Sequence, residues 1–255
     1  MTRELFDLTD KVAIVTGGNG GIGLGIAKGL AGSSASVVVA ARNADKTVAA
    51  VQELQALGSD ASGVSLDVSD EESIKAAVAE TVDRYGRLDI LVNNAGTTVR
   101  SRPEDYEAAD WDLVQDVNLR GAFLCCREAY PHMAKQRGGK IINIGSMTSI
   151  FGIDWGAPYA ASKGGIVQLS KSLAIAWAKD NIQVNAILPG WIETDLTAPL
   201  QERFPERHAQ ITARIPDGRW GVPSDFAGIA AFLASGASDY VTGTAIPVDG
   251  GYSVY

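Results

Sequence analysis

Short apolar runs rich in β-branched residues alternate along this chain with longer segments of helical period. The runs are "KVAIVTG" (11–17), "ASVVVAA" (35–41), "ASGVSLDV" (61–68), "LDILVNNAG" (88–96), "GKIINIGS" (139–146), "IQVNAILPG" (182–190) and "TAIPVDGG" (244–251). Runs so continuously apolar predict strands covered on both faces, as in a parallel sheet. Between them, "IGLGIAKGLAGS" predicts a helix directly after a glycine turn. "DKTVAAVQELQALG" places Val48, Val51, Leu54 and Leu57 on one side and predicts a stop at Gly58. "DEESIKAAVAETVDRYG" predicts a helix capped by Asp70 and ended by Gly86. The two longest helical stretches are 109–136 and 158–180, the second opened by Pro158. Strand and helix in strict alternation imply right-handed βαβ units and a doubly wound α/β fold with a central, mostly parallel seven-stranded sheet. No repeat, low-complexity tract or linker interrupts the 255 residues. They are expected to form one domain, with 191–220 as an inserted lid.

Composition excludes several classes. Hydrophobic residues make up 46% and charged ones 20%, which is globular and not disordered. A formal charge of −8 argues against nucleic acid and against an anionic membrane as partners. No apolar run approaches the ~18 residues of a membrane span, and "MTRELFDLTDK" lacks the apolar core of a secretion signal. The two cysteines, Cys125 and Cys126, are adjacent and are read as reduced thiols, in keeping with a cytoplasmic protein. With two histidines and no C-x-x-C spacing, no metal site is expected.

The densest chemistry lies in "TGGNGGIGLG" (16–25), which reads in two registers. Gly18, Gly20 and Gly23 satisfy G-x-G-x-x-G, whereas Gly17, Gly21 and Gly23 satisfy T-G-x-x-x-G-x-G. After a strand and before a helix, such glycines permit positive φ, close approach of a pyrophosphate and tight helix packing, the dinucleotide-binding turn of a Rossmann-type fold. At the end of the second strand, Ala41 stands where an acid would grip the ribose diol of NAD. Arg42 follows, with a guanidinium suited to a 2′-phosphate, then Asn43. This favours NADP(H) over NAD(H). The alternative leaves Arg42 solvated, with Asp45 replacing the missing acid.

Downstream, "APYAASKGG" places Tyr159 and Lys163 at i, i+4 on one helix face. An ammonium beside a phenol lowers the tyrosine pKa and fits it for proton exchange with a substrate oxygen. Ser146 ends a strand thirteen residues earlier, at the edge where α/β clefts form. Asn118 falls in the middle of a helical stretch, an awkward place for a poor helix former.

TGGNGGIG (16–23), Asp67, NNAG (93–96), Asn118, Ser146, YAASK (159–163) and PG (189–190), in this order, make the chain resemble the short-chain dehydrogenase/reductase family over nearly its whole length. The resemblance selects the Gly17/Gly21/Gly23 register. It implies Tyr159 as acid/base, Lys163 lowering its pKa and binding the nicotinamide ribose, Ser146 orienting the reacting oxygen, and Asn118 holding a relay water. It implies adenine contact at Asp67 with Val68 beside it, and a cofactor wall at Asn94, Ala95 and Gly96. Asn19 and Ile22 in the glycine turn complete the phosphate side, and Pro189, Gly190, Ile192 and Thr194 hold the carboxamide end. It also implies a homotetramer built on the long helices and the C-terminal segment.

"LFDLTDKVAIVTG", "GKIINIGSMTS", "WAKDNIQVNAILPGW" and "RIPDGRWGVPSD" are similar to the gluconate 5-dehydrogenase and 2-keto-3-deoxygluconate dehydrogenase branch. That resemblance implies a small-molecule carbonyl/alcohol substrate, a keto sugar or sugar acid. A carboxylate needs a cation, and Arg100, Arg102, Arg203, Arg207, His208 and Arg214 are available. Met147, Phe151, Ile153, Trp155 and Trp191 predict an apolar cleft wall, so reduction of a hydrophobic ketone or a 3-oxoacyl thioester is the rival reading. A non-catalytic NADP-binding sensor is the remote one.

Overall fold

The computed structural model describes residues 2–255, and of the stretch read for a secretion signal Met1 lies outside them. After a short helix α1 (Thr2–Leu5), the chain alternates β1 (Val12–Thr16), α2 (Gly21–Gly32), β2 (Ser36–Ala41), α3 (Ala44–Ala56), β3 (Ala61–Ser65), α4 (Glu71–Tyr85) and β4 (Ile90–Asn93). It continues through α5 (Ala108–Gln115), α6 (Gly121–Lys135), β5 (Gly139–Ile144), α7 (Ala157–Trp177) and β6 (Ile182–Pro189). The segment after β6 carries α8 (Ala198–Arg203) and α9 (Pro205–Ala213), and α10 (Ala227–Ala234) leads into β7 (Ala245–Val248).

The strands form one sheet in the order β3-β2-β1-β4-β5-β6-β7, and every neighbouring pair is parallel. The order reverses between β1 and β4, so a crevice opens there at the carboxyl ends of the strands. Alternate residues feed two cores. Ala13, Val15, Val37 and Val39 pack on the face of α2 and α10, whereas Val12, Ile14, Val38 and Ala40 pack on the face of α4 and α6. Both faces being covered is why these strands read as unbroken apolar runs.

Local signals hold where side chains cap the backbone. Asp70 accepts the Glu72 N–H, and Gly86 ends α4 at φ 76°. Two expectations are corrected. The expected apolar stripe of α3 is only half buried: Leu54 is buried and Val51 packs against the core, while Val48 and Leu57 are more than half exposed and Thr47 and Ala50 complete the inward face. The helix is turned so that small Thr47 meets Gly63 of β3, where a Cβ would lie 2.6 Å from the Thr47 methyl. The stretch 109–136 is not one regular helix. Between α5 and α6 the turn Asp116–Arg120 is π-helical, with the Gly121 N–H bonded to the Asp116 carbonyl.

Candidate active site

The turn between β1 and α2 takes its shape from the second glycine register. Gly17 and Gly21 have φ of 62° and 50°, which an L side chain rarely adopts. A Cβ on Gly23 would collide with Asn94 Nδ2 and the Gly17 carbonyl, whereas one on Gly20 would meet nothing. Of the G-x-G-x-x-G match, Gly20 therefore has no steric requirement, although Gly18, whose Cβ would lie 2.8 Å from the Val15 carbonyl oxygen, does. Asn94 locks this turn to β4, its Nδ2 donating to the carbonyls of Thr16 (3.0 Å) and Gly17 (3.1 Å). Thr16 Oγ1 in return accepts the N–H groups of Asn94 and Ala95, both at 3.0 Å.

Along this turn runs a crevice of about 300 Å³. Gly17, Asn19, Gly21, Ile22, Asn94, Ala95, Gly96, Tyr159, Lys163, Pro189, Gly190, Ile192 and Thr194 line it as expected from the sequence. The residues fit a dinucleotide: bare glycine backbone on one wall and a helix N-terminus at its end are what a pyrophosphate requires. Five predicted positions do not line this crevice. Gly23 packs behind the turn, and Val68 is buried. Asn43 caps α3, accepting the Lys46 N–H at 2.9 Å, and its carbonyl accepts Asn19 Nδ2 at 3.3 Å. Arg42 is exposed and lies 3.9 Å from Asp67. Asp67 accepts the hydroxyl and N–H of Ser69, bonds that hold its carboxyl below the usual range. Lys46, Asp195, Leu196 and Thr197 also line the crevice, and sequence reasoning missed them.

The proton-transfer group lies where β4, β5 and α7 converge. Ser146 follows β5 in extended conformation, its Oγ accepting the Thr148 N–H at 3.1 Å. Its hydroxyl also hydrogen-bonds the Tyr159 phenol. Asn118 explains the widened turn: its Oδ1 accepts the Thr97 N–H (2.8 Å), and its Nδ2 donates to the Thr97 carbonyl (3.0 Å) and to Ser162 Oγ (3.1 Å). The buried amide thus ties the backbone after NNAG to α7, a bond set that a regular helix would aim elsewhere.

The electrostatics differ from the simple ammonium–phenol picture. Burial raises the Tyr159 pKa, and the downward influences are the Ser146 hydrogen bond and then the Arg100 charge. Lys163 Nζ sits 5.6 Å from the Tyr159 ring centre and donates to the Ile144 carbonyl at 2.7 Å. Its own pKa falls to about 8 through burial. In the chain alone the lysine is turned to the backbone, and the cation acting on the phenol is Arg100.

Ser146, Tyr159, Gly190, Leu196 and Thr197 are shared between the crevice and a second cavity of about 450 Å³. The second cavity receives all the predicted substrate residues: Ser146, Met147, Trp155, Trp191 and Arg100. Phe151, Ile153, Ile211 and Tyr252 extend its apolar wall. Arg100 and Arg207 stand 5.1 and 5.2 Å from the Trp155 ring centre. Arg207 is paired with Asp154 at 3.1 Å, and Arg100 donates to the Leu196 carbonyl at 2.8 Å. Of the other proposed cations, Arg102 pairs with Glu104, His208 stacks on Trp220, Arg214 lies on the cavity residues Tyr252 and Phe151, and Arg203 is not among the lining residues. Among the described residues no cluster of metal-ligating side chains occurs, and no helix is long and apolar enough to cross a membrane.

Comparison with known proteins agrees with this geometry. A family model described as enoyl-(acyl carrier protein) reductase matches residues 17–253. The chain is 44% identical over 250 residues to a 2-dehydro-3-deoxy-D-gluconate 5-dehydrogenase of Pseudoalteromonas atlantica, covering 98% of each chain. It is 39% identical over 245 residues to a 3-oxoacyl-[acyl-carrier-protein] reductase of Thermotoga maritima, covering 96% of this chain and 98% of that one. The crystal structure of a gluconate 5-dehydrogenase from Burkholderia cenocepacia, in complex with NADP and tartrate, superposes with a TM-score of 0.95 at 37% identity over the full length of both chains. Sheet order, glycine turn, Ser-Tyr-Lys group and relatives agree: the chain belongs to the short-chain dehydrogenase/reductase family and is an oxidoreductase.

Proposed function

We propose that this chain is an NADP(H)-dependent oxidoreductase that interconverts the carbonyl and secondary alcohol of a keto sugar acid. One observation carries the reading: the Ser146–Tyr159 pair sits on the floor shared by a dinucleotide crevice and a cavity holding the carboxylate-free cation Arg100. The bound dinucleotide supplies or accepts the hydride. In reduction, Tyr159 gives its phenolic proton to the carbonyl oxygen while the Ser146 hydroxyl donates a hydrogen bond to that oxygen. Asn118 ties the backbone after NNAG to α7, and Lys163, which donates to the Ile144 carbonyl, would bind the nicotinamide ribose and lower the pKa of the phenol. Gly17, Asn19, Gly21 and Ile22 hold the phosphates, Asp67 and Val68 the adenine, and Pro189, Gly190, Ile192 and Thr194 the carboxamide end. Arg42 beside Ala41 and Asn43 supports NADP(H) over NAD(H), and relatives crystallised with NADP agree.

Segment 191–220 acts as the substrate lid of a single catalytic domain. Exposed Trp111, Leu113, Phe123 and Ile175 on α5, α6 and α7 support a homotetramer, and the free, buried Cys125 and Cys126 support a cytoplasmic setting.

The test is NADPH consumption against a panel of keto sugar acids and neutral ketones. Tyr159→Phe is expected to lose about a hundredfold or more in kcat with NADPH affinity kept. Equal activity of the two proteins overturns the assignment. The apolar wall of Phe151, Ile153, Trp155 and Trp191 favours a hydrophobic ketone as the second reading. Arg100→Met separates the two through KM: it raises KM for a keto acid by about tenfold or more and leaves KM for a neutral ketone unchanged, while the loss of its charge near Tyr159 changes kcat for both.

A further inference from the structure

Lys46 was not among the residues the sequence marked, yet it lines the cofactor crevice. It stands in the first turn of α3, four residues beyond Arg42. Its Nζ is 2.9 Å from Asp195 Oδ2, in the segment that follows β6. The two residues are 149 apart in sequence, on α3 and on the segment after β6, and both line the crevice, so their ion pair ties these two elements together beside it. Next to Asp195, Thr194 rests on the glycine turn, its methyl 3.3 Å from where a Gly21 Cβ would stand. The pair is cheap to break, because both side chains are mostly solvent-exposed and such pairs contribute little in water. Arg42 is in a similar condition, held only loosely by Asp67 at 3.9 Å. Both cations flanking the start of α3 are therefore met by carboxylates that a stronger anion can replace. A phosphate monoester carries close to two charges and three acceptor oxygens, so it outcompetes one exposed carboxylate.

We propose that Lys46 is a second ligand, with Arg42, for the 2′-phosphate of NADP(H), and that Asp195 occupies it until the cofactor arrives. Asp195 is then a competitor for the lysine and not a cofactor ligand, and cofactor binding releases the segment beyond β6 from α3. This rests on the NADP(H) reading above.

The test is calorimetric titration of the whole protein with NADPH and, separately, NADH, without substrate. Lys46→Gln should weaken NADPH about tenfold and leave NADH within about twofold. Lys46→Arg should retain most of the NADPH affinity. Asp195→Asn should tighten NADPH, by up to about fivefold, because the competitor is gone. Opposite signs for Lys46→Gln and Asp195→Asn support the proposal. Weakening by both variants makes the pair a clasp over the cofactor, and equal loss of NADH and NADPH in Lys46→Gln moves the lysine to the pyrophosphate; either overturns it. NADPH preference unchanged in Lys46→Gln overturns the Lys46 assignment alone. Equal affinity of the unsubstituted protein for both cofactors overturns the NADP(H) reading beneath it.

Discussion

Lys163 is a buried ammonium whose bonded partner is a backbone carbonyl, and its pKa of about 8 lies well under the ordinary lysine value of 10.5. The depression has a thermodynamic sign. Between those two values the unfolded chain binds more protons at this residue than the folded one, so stability contributed by this site rises with pH. Below about 8 the full cost of burying the charge is present; above it the folded lysine is neutral and the cost fades. The melting temperature of the unsubstituted protein, measured relative to Lys163→Met, is therefore expected to rise from pH 7 to pH 10. A flat or falling difference contradicts the burial account. The identities of Tyr159, Lys163 and Ser146 were legible in the sequence because spacing along a helix and position at a strand end are local properties. The direction of the Tyr159 shift was not. It depends on burial and on Arg100, which arrives from a loop 59 residues earlier through the tertiary fold.

Elements were legible where the chain states its own boundaries. Asp70, Gly86 and Pro158 each mark a helix end by a bond or a dihedral confined to a few residues. The inward face of α3 was half legible: Leu54 and Val51 face the core as the stripe predicts, but the helix is turned so that Thr47 also packs on Gly63, which leaves Val48 and Leu57 exposed. Leu54→Ala is accordingly expected to cost about 2–5 kcal/mol of unfolding free energy, and Val48→Ser less than about 0.5. Denaturant titration of both variants checks this. The glycine turn makes a sharper contrast. Gly20→Ala should leave stability almost untouched, since its Cβ meets no protein atom. Gly23→Ala forces Asn94 and Gly17 apart and should destabilise the fold measurably. Comparable stability of the two variants would falsify the register. The π-helical turn at Asn118 had one hint, a polar residue in a helical interior, but no pattern of hydrophobic positions encodes one extra residue in a turn.

At the scale of the molecule, the parallel sheet was legible from apolar runs alone, since only strands covered on both faces need no polar alternation. The segment 191–220 was legible only as an interruption. Its small core of Leu200, Ile215 and Trp220, with Trp191 and Ile211 of the same segment against it, is closed by Tyr252 from near the end of the chain, a meeting that no local pattern encodes. The proposed tetramer is a prediction at this scale: Ile175 on α7 is 82% exposed in the single chain. Ile175→Glu should shift the protein to smaller species in light scattering, with the folded spectrum kept. A monomer in the unsubstituted protein removes the assembly. The aromatic arrangement of the cavity has an optical consequence. Of the five tryptophans, Trp155 and Trp191 line the cavity, and Trp220 lies 5.3 Å from Trp191 and stacks with His208 at 4.5 Å. Three of the five native fluorophores thus report on one place, so filling the cavity should change the intrinsic emission with no label attached.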